Sequence, residues 1–210
     1  MSATLLIVDD HEVIRHGVRA MLETADLLIV GSTGTIADAL KLARRHKPDI
    51  VLLDVRVGSE DGIDAIRRLR SAAPKARVLL FSAFDNPTYV ARAVAAGAHD
   101  YVLKTASGAM LLAAIGNALT GGQPTHTGAM RTVAASMRKR DVPADAPVPL
   151  TARELQALRM VAMGLSNQEI ADAMTISVET VKEHVQNMLR KIALHDRTQA
   201  AVWAIRNGLA

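Results

Sequence analysis

Leu5-Leu6-Ile7-Val8-Asp9-Asp10 is a short apolar run that ends in two carboxylates. Three later runs have the same form. Ile50-Val51-Leu52-Leu53 ends in Asp54, Val78-Leu79-Leu80-Phe81 in Ser82, and Tyr101-Val102-Leu103 in Lys104. Apolar runs of this length, alternating with amphipathic helical stretches, are how buried strands of a parallel sheet read. In an open parallel sheet, ligands sit just beyond the carboxyl ends of the strands. The acid pair, the lone Asp, the hydroxyl and the Lys are therefore expected on one small patch, although they lie far apart in sequence. That set of groups suits Mg²⁺ and a phosphoryl group.

Working outward, residues 1–120 read as five βα units. Strands are expected near 4–9, 27–32, 50–54, 77–82 and 100–104, and helices near 12–23, 35–46, 62–71, 87–96 and 107–119. Strict alternation with short connections predicts an α/β doubly wound domain on a five-stranded parallel sheet. Ser107 is the expected N-cap of its last helix. Composition then changes: Gly121-Gly122, Pro124 and the Pro-rich stretch 141–149 cannot continue a helix. We read 121–149 as an interdomain linker in which 128–140 has the pattern of a short, loosely held helix. From 150 to 210 the pattern is all α, a small four-helix domain. Thr151-x-x-Glu154 and Ser166-x-x-Glu169 both fit the capping box, and Ser177 and Asp196 are expected to cap two further helices.

Composition excludes several classes. Half of the residues are apolar, enough for a sizeable core, and there is no cysteine, so disulfides, thiolate metal sites and thiol nucleophiles are out. The N-terminus reaches the acid pair too soon for a signal peptide, and no apolar stretch approaches ~20 residues. A soluble, cytoplasmic protein with no membrane partner is the expectation. Charge says little about nucleic acid. Residues 1–120 carry 14 Lys+Arg against 13 Asp+Glu, 121–149 carry 4 against 2, and 151–210 carry 7 against 6. A DNA-binding role has to come from arrangement rather than net charge.

Within the first domain, Asp54 is the candidate nucleophile, because a carboxylate can accept a phosphoryl group as an acyl phosphate. Asp9, Asp10 and Asp54 supply the oxygen ligands that Mg²⁺ prefers. Ser82 can hydrogen-bond a phosphoryl oxygen, and Lys104 can neutralise another. Singly, each residue has an ordinary reading: a helix cap, a turn former or a solvated charge. Their placement at the ends of different strands is what points to phosphoryl chemistry.

In the second domain, Val181, Val185, Met188, Leu189 and Ile192 recur at helical spacing and read as core. The other face of that helix presents Lys182, Glu183, Gln186, Asn187 and Arg190. Lys182 and Gln186 can read purine edges in the major groove, and Glu183 can accept from cytosine N4. Thr180, His184 and Lys191 are expected to touch phosphate. With the preceding helix and its short Thr175-Ile176 connection, this is a helix-turn-helix.

Residues 4–119 resemble the receiver domain of bacterial response regulators. The resemblance rests on Leu-Ile-Val-Asp-Asp (6–10), Val-Leu-Leu-Asp (51–54), Asp-Gly (61–62), Phe-Ser-Ala (81–83), Ala-Gly-Ala (96–98) and Tyr-Val-Leu-Lys (101–104). It implies a flavodoxin-like fold in which Asp54 accepts phosphate from a sensor histidine kinase. It also implies that Asp10, Asp54 and the backbone carbonyl of Arg56 hold Mg²⁺, with Asp9 assisting through water. Ser82 would shift toward the phosphoryl group, and Tyr101 matches the aromatic whose rotamer follows that shift. There are two departures. Arg-Val-Gly (56–58) stands where the family usually has Met-Pro at 57–58, and Gly58 is expected to loosen that loop. Thr105 follows Lys104 where Pro is common, so the loop after the fifth strand is expected to be strained or differently shaped.

Residues 150–210 are similar to the LuxR-type DNA-binding domain. The matching pieces are Leu-Thr-Ala-Arg-Glu (150–154), Gly-Leu-Ser-Asn-Gln-Glu-Ile-Ala (164–171), the run from Ile176 to Ile192, and Asp-Arg-Thr-Gln-Ala-Ala (196–201). This resemblance implies base contacts by Lys182, Glu183 and Gln186, with His184 near the backbone. Many members carry a basic residue where Gln186 stands, so base preference does not carry over. The last helix matches the family's dimerisation element, with Ala200, Ala201 and Ala204 small enough for close contact; Trp203 reads as an interface anchor or as core, with core slightly favoured. The whole chain then reads as a NarL/LuxR-type response regulator, binding promoter double-stranded DNA and forming a homodimer when phosphorylated. An aspartate-nucleophile phosphohydrolase is the enzyme alternative, but Arg56 occupies the position of its general acid. A receiver serving only as an interaction scaffold is the third reading.

Overall fold

The computed structural model describes residues 2–23, 25–122, 136–137 and 150–209. Two compact units are present, Met1–Asp85 with Ala96–Met130, and Asn86–Ala95 with Arg131–Ala210. The first contains strands β1 (Ala3–Val8), β2 (Leu27–Thr33), β3 (Ile50–Asp54), β4 (Arg56–Val57), β5 (Glu60–Asp61), β6 (Arg77–Ser82) and β7 (Asp100–Leu103). Its helices are α1 (Glu12–Met21), α2 (Ile36–His46), α3 (Gly62–Ala72) and α5 (Gly108–Thr120). The main sheet runs β2-β1-β3-β6-β7 with every pairing parallel. This is the doubly wound order whose switch point lies between β1 and the central strand β3.

The apolar runs become strands because helices cover both faces of the sheet. Leu5, Ile7, Leu52 and Leu79 share a cluster with Val18 of α1 and with Leu111, Ala114 and Ile115 of α5. Ser107 caps α5 by accepting from the Met110 N–H, as its sequence predicts. The loop after β3 departs from expectation. Gly58 does not loosen it; β4 and β5 pair antiparallel around a two-residue turn. Gly58 has φ +62°, whereas Ser59 is not among the residues with positive φ. That is the pattern of a type II′ hairpin turn, which calls for Gly at its first central position. The peptide bond entering Thr105 is trans, since the described residues contain no cis bonds.

The second unit contains α4 (Pro87–Ala96, apart from its last residue) and four C-terminal helices. These are α6 (Ala152–Ala162), α7 (Asn167–Met174), α8 (Val178–Lys191) and α9 (Arg197–Arg206). Ala91 of α4 is buried in one cluster with Leu155, Leu158, Met160, Leu165, Ile170 and Val181, so α4 groups with these helices rather than with 1–120. Both capping boxes form, at Thr151/Glu154 and Ser166/Glu169, and Ser177 and Asp196 cap α8 and α9. The turn between α7 and α8 is closed by Thr175 at φ +56°, with the Ile176 N–H donating to the Ala171 carbonyl. Trp203 is partly buried against this core. Most of 121–149, including most of the short helix expected at 128–140, lies outside the described residues. Among those described, no helix is long and apolar enough to cross a membrane.

Candidate functional site

At the carboxyl ends of β1 and β3, carboxylates from two neighbouring strands converge. Asp9 and Asp54 are buried and Asp10 is exposed. With His11 they form a group whose ligand atoms all lie within 4.8 Å of one another. Lys104, just beyond β7, reaches between them. Its Nζ lies 2.6 Å from Asp54 Oδ2 and 2.7 Å from Asp9 Oδ2. It donates a hydrogen bond to Asp54 and is ion-paired with Asp9 Oδ2. The backbone N–H of Arg56 donates weakly to Asp54 Oδ1 at 3.4 Å, so the chain turns back over the carboxylate two residues on.

Burial pushes the Asp54 carboxyl above the ordinary carboxylate value. The Lys104 hydrogen bond and charge pull against this, Asp9 adds to it, and the Arg56 N–H offsets a little. Burial alone would lower the Lys104 ammonium, but Asp54 and Asp9 more than reverse that and hold it above the usual value. The result is a fixed cation bridging two buried carboxylates. Hard oxygen donors in this arrangement fit Mg²⁺, which prefers one or two carboxylates and retains several waters.

Two site residues look elsewhere. Ser82 is fully buried; its Oγ accepts from the Phe84 N–H at 3.0 Å and donates to the Phe84 carbonyl at 3.3 Å. Tyr101 is fully buried, and its hydroxyl donates to the same carbonyl at 2.7 Å. Hydroxyls from two strands thus meet at one backbone oxygen. Sequence alone singles out neither Phe84 nor His11. A carbonyl leaves no mark in a sequence. His11 carried one signal, its place directly after the acid pair, and its Nδ1 lies 2.9 Å from Asp10 Oδ1.

On α8 of the second unit, Val181, Val185 and Met188 are buried, while Lys182, Glu183 and Gln186 are exposed and His184 and Thr180 partly so. The Thr180 hydroxyl lies 2.8 Å from the Ser177 cap. Lys182 pairs with Glu179 across the surface at 3.1 Å. Lys191 differs from the others named by sequence, because its Nζ sits 2.7 Å from Glu154 Oε2 in the capping box of α6.

A parallel sheet with this carboxylate–lysine cluster, in one chain with a helix-turn-helix, defines a bacterial response regulator. Residues 5–116 match the response regulator receiver domain, and residues 148–204 match the bacterial regulatory proteins of the luxR family. The chain belongs to the two-component response regulators of the NarL/LuxR type, and so is a DNA-binding transcription regulator. It is 35% identical over 210 residues to the response regulator protein VraR of Staphylococcus aureus (strain NCTC 8325 / PS 47), covering 100% of this chain and 99% of that one. A LuxR-family two-component response regulator from Aurantimonas sp. SI85-9A1 superposes with TM-score 0.59 at 29% identity, over 66% of this chain and 100% of the other. The receiver domain of NarL from Mycobacterium tuberculosis superposes with TM-score 0.54 at 33% identity, over 57% of this chain and 98% of its own. Family members are DNA-binding regulators rather than conventional enzymes, and they interact with sensor kinases. Receiver domains generally bind Mg²⁺ at an acidic pocket, and Asp9, Asp10, His11 and Asp54 form an Asp-rich group of that kind.

Proposed function

We propose that Asp54 accepts a phosphoryl group from a sensor histidine kinase and that this switches DNA binding. The observation that carries the reading is Lys104 Nζ between Asp54 Oδ2 and Asp9 Oδ2. In the transfer, an Asp54 oxygen forms the new O–P bond as the donor's N–P bond breaks, and the donor imidazole leaves. Asp10, Asp54 and the Arg56 carbonyl would hold Mg²⁺, with Asp9 acting through water. That cation would supply positive charge for the phosphoryl oxygens. Lys104 keeps its charge at neutral pH and can move from carboxylate to phosphoryl oxygen. Ser82 would exchange its Phe84 partner for another phosphoryl oxygen, leaving the Phe84 carbonyl to Tyr101 alone.

In the second unit, Lys182, Glu183 and Gln186 are the proposed base readers. Thr180 and His184 are proposed on the phosphates, and Lys191 joins them only by leaving Glu154. Residues 1–120, 121–149 and 150–210 are the proposed receiver, linker and DNA-binding segments. The phosphorylated protein is proposed to act as a homodimer on promoter DNA, in the cytoplasm. Intact mass after incubation with Mg²⁺ and a small phosphodonor tests the first step. One added phosphoryl group is expected on the wild type and none on Asp54→Ala. Phosphodonor-induced DNA binding that persists in Asp54→Ala would break the proposed coupling.

A further inference from the structure

At the opposite end of the sheet, where β6 and β7 begin, lies a cleft of about 450 Å³ lined by Arg70, Lys75, Arg77, Gly97 and His99 among others. Its positive groups come from three places: the last turn of α3, the loop that follows it, and the first residue of β6. Among the described residues, the recorded ion pairs leave Arg70, Lys75 and Arg77 without a carboxylate. Two acids flank the cleft: the Asp49 carbonyl accepts from the Arg77 N–H, and the charge of Asp100 reaches His99. Asp49 Oδ2 accepts from the Thr4 N–H and hydroxyl, and Asp100 Oδ1 accepts from the Tyr101 N–H.

One further feature points to a ligand. His99 Nε2 is shielded from solvent and has no hydrogen-bond partner, while the His99 N–H donates to the Val78 carbonyl at 2.8 Å and fixes its backbone beside β6. A buried imidazole nitrogen left unpaired costs free energy that a bound partner would recover. Gly97, at φ +82°, leaves space that Arg70 fills: a Cβ there would stand 2.2 Å from Arg70 Nη1.

We propose that this cleft binds a small molecule carrying two or more phosphate groups, held by Arg70, Lys75 and Arg77 with a hydrogen bond to His99. Guanidinium forks match phosphate oxygens in pairs, and Lys adds a point charge. Three cations exceed what one phosphate needs. The volume falls in the range of about 300–1,000 Å³ typical of small-molecule sites. The positive groups converge on a concavity instead of running along a helix face, which favours a compact anion over a nucleic-acid backbone. The site is separate from Asp54 and does not depend on the phosphoacceptor reading.

Calorimetric titration of the full chain with inorganic triphosphate, in Mg²⁺-free buffer at constant ionic strength, tests the proposal. Saturable one-to-one binding is expected, equal in the wild type and Asp54→Ala and much weaker for sulfate. Arg70→Gln and Arg77→Gln, both at exposed positions, should each weaken it roughly tenfold or more, with melting temperatures close to wild type. His99→Phe should weaken it further while Arg70 and Arg77 remain. Equal affinity for orthophosphate or sulfate would reduce the cleft to general charge screening and overturn the proposal, as would titrations showing no saturation. So would displacement of triphosphate by a short DNA duplex whose own binding falls in the same two Arg variants, because the surface would then be a nucleic-acid contact.

Discussion

A Cβ carried at position 62 would lie 2.0 Å from the carbonyl oxygen of Asp54. The Gly62 N–H also donates to the Val55 carbonyl at 2.8 Å. Only a residue without a side chain lets α3 start this close to the strand that presents Asp54. Gly62→Ala is therefore expected to cost roughly 1–3 kcal/mol, toward the upper end because the obstacle is backbone, and to slow phosphoryl uptake at Asp54. Urea unfolding and a mass time course read the two effects. The Asp54 side chain makes its own prediction. Burial holds its carboxyl above the ordinary value, so its proton is bound more tightly folded than unfolded. Stability is then lost as pH rises from the unfolded value near ~3.9 through the folded one, and does not return above it. Without Mg²⁺, Asp54→Asn should melt higher than wild type at pH 7, and the gain should vanish below about pH 4. A lower melting point at pH 7 would mean that the Lys104 bond outweighs desolvation.

Elements differ in how clearly they were written. The four long apolar runs are legible because both faces of each strand are buried, and so is the site at their ends, because sheet topology alone brings those ends together. The β4–β5 hairpin is not legible, since two-residue strands have no periodicity to read; only Gly58-Ser59 marks it, and a Gly there reads equally as slack. A Cβ at position 58 would meet nothing within 4 Å, so Gly58→Ala should cost only backbone strain, about 1–3 kcal/mol, without the steric clash that Gly62→Ala adds. The grouping of α4 with the C-terminal helices was equally hidden, because the partners of Ala91 lie far along the chain. At the end of α8, the helical pattern showed that Lys191 is exposed but not that Glu154 would claim it. Burial opposes ionisation of Glu154, but Lys191 and the Thr151 N–H overcome this and hold its carboxyl below the usual value. That contribution to stability is present above the unfolded value of about 4.3 and is lost as pH falls through the folded one. Lys191→Gln is thus expected to destabilise at pH 7 by about 1 kcal/mol, discounted for an ammonium that is partly exposed, with the deficit shrinking in acid. Unchanged stability together with a salt slope of DNA binding reduced by about one would instead place Lys191 on a phosphate.

For the whole molecule, charge limits how DNA can be held. Residues 151–210 carry 7 Lys+Arg against 6 Asp+Glu, and three of the cations are buried or paired. Arg159 is buried with its Nε on the Leu209 carbonyl, Lys191 is on Glu154, and Lys182 is shared with Glu179. On the exposed face of α8 this leaves Arg190, held by Asn187, and Lys182 once it exchanges Glu179 for DNA. Each phosphate neutralised adds about −0.9 to the slope of log affinity against log salt. One copy of this domain should therefore show a shallow slope, about −2 to −3, and weak binding. If phosphorylation acts by pairing two copies on adjacent half-sites, affinity and slope must rise together, the slope about twofold. If it acts only by freeing a DNA-binding face already sufficient alone, affinity rises while the slope stays fixed. Fluorescence anisotropy on one promoter duplex, titrated over a range of salt with and without a phosphodonor, separates the two. A doubled slope on phosphorylation, absent in Asp54→Ala, is the expected result, because with so few outward cations on α8 a second copy is the available source of further phosphate contacts.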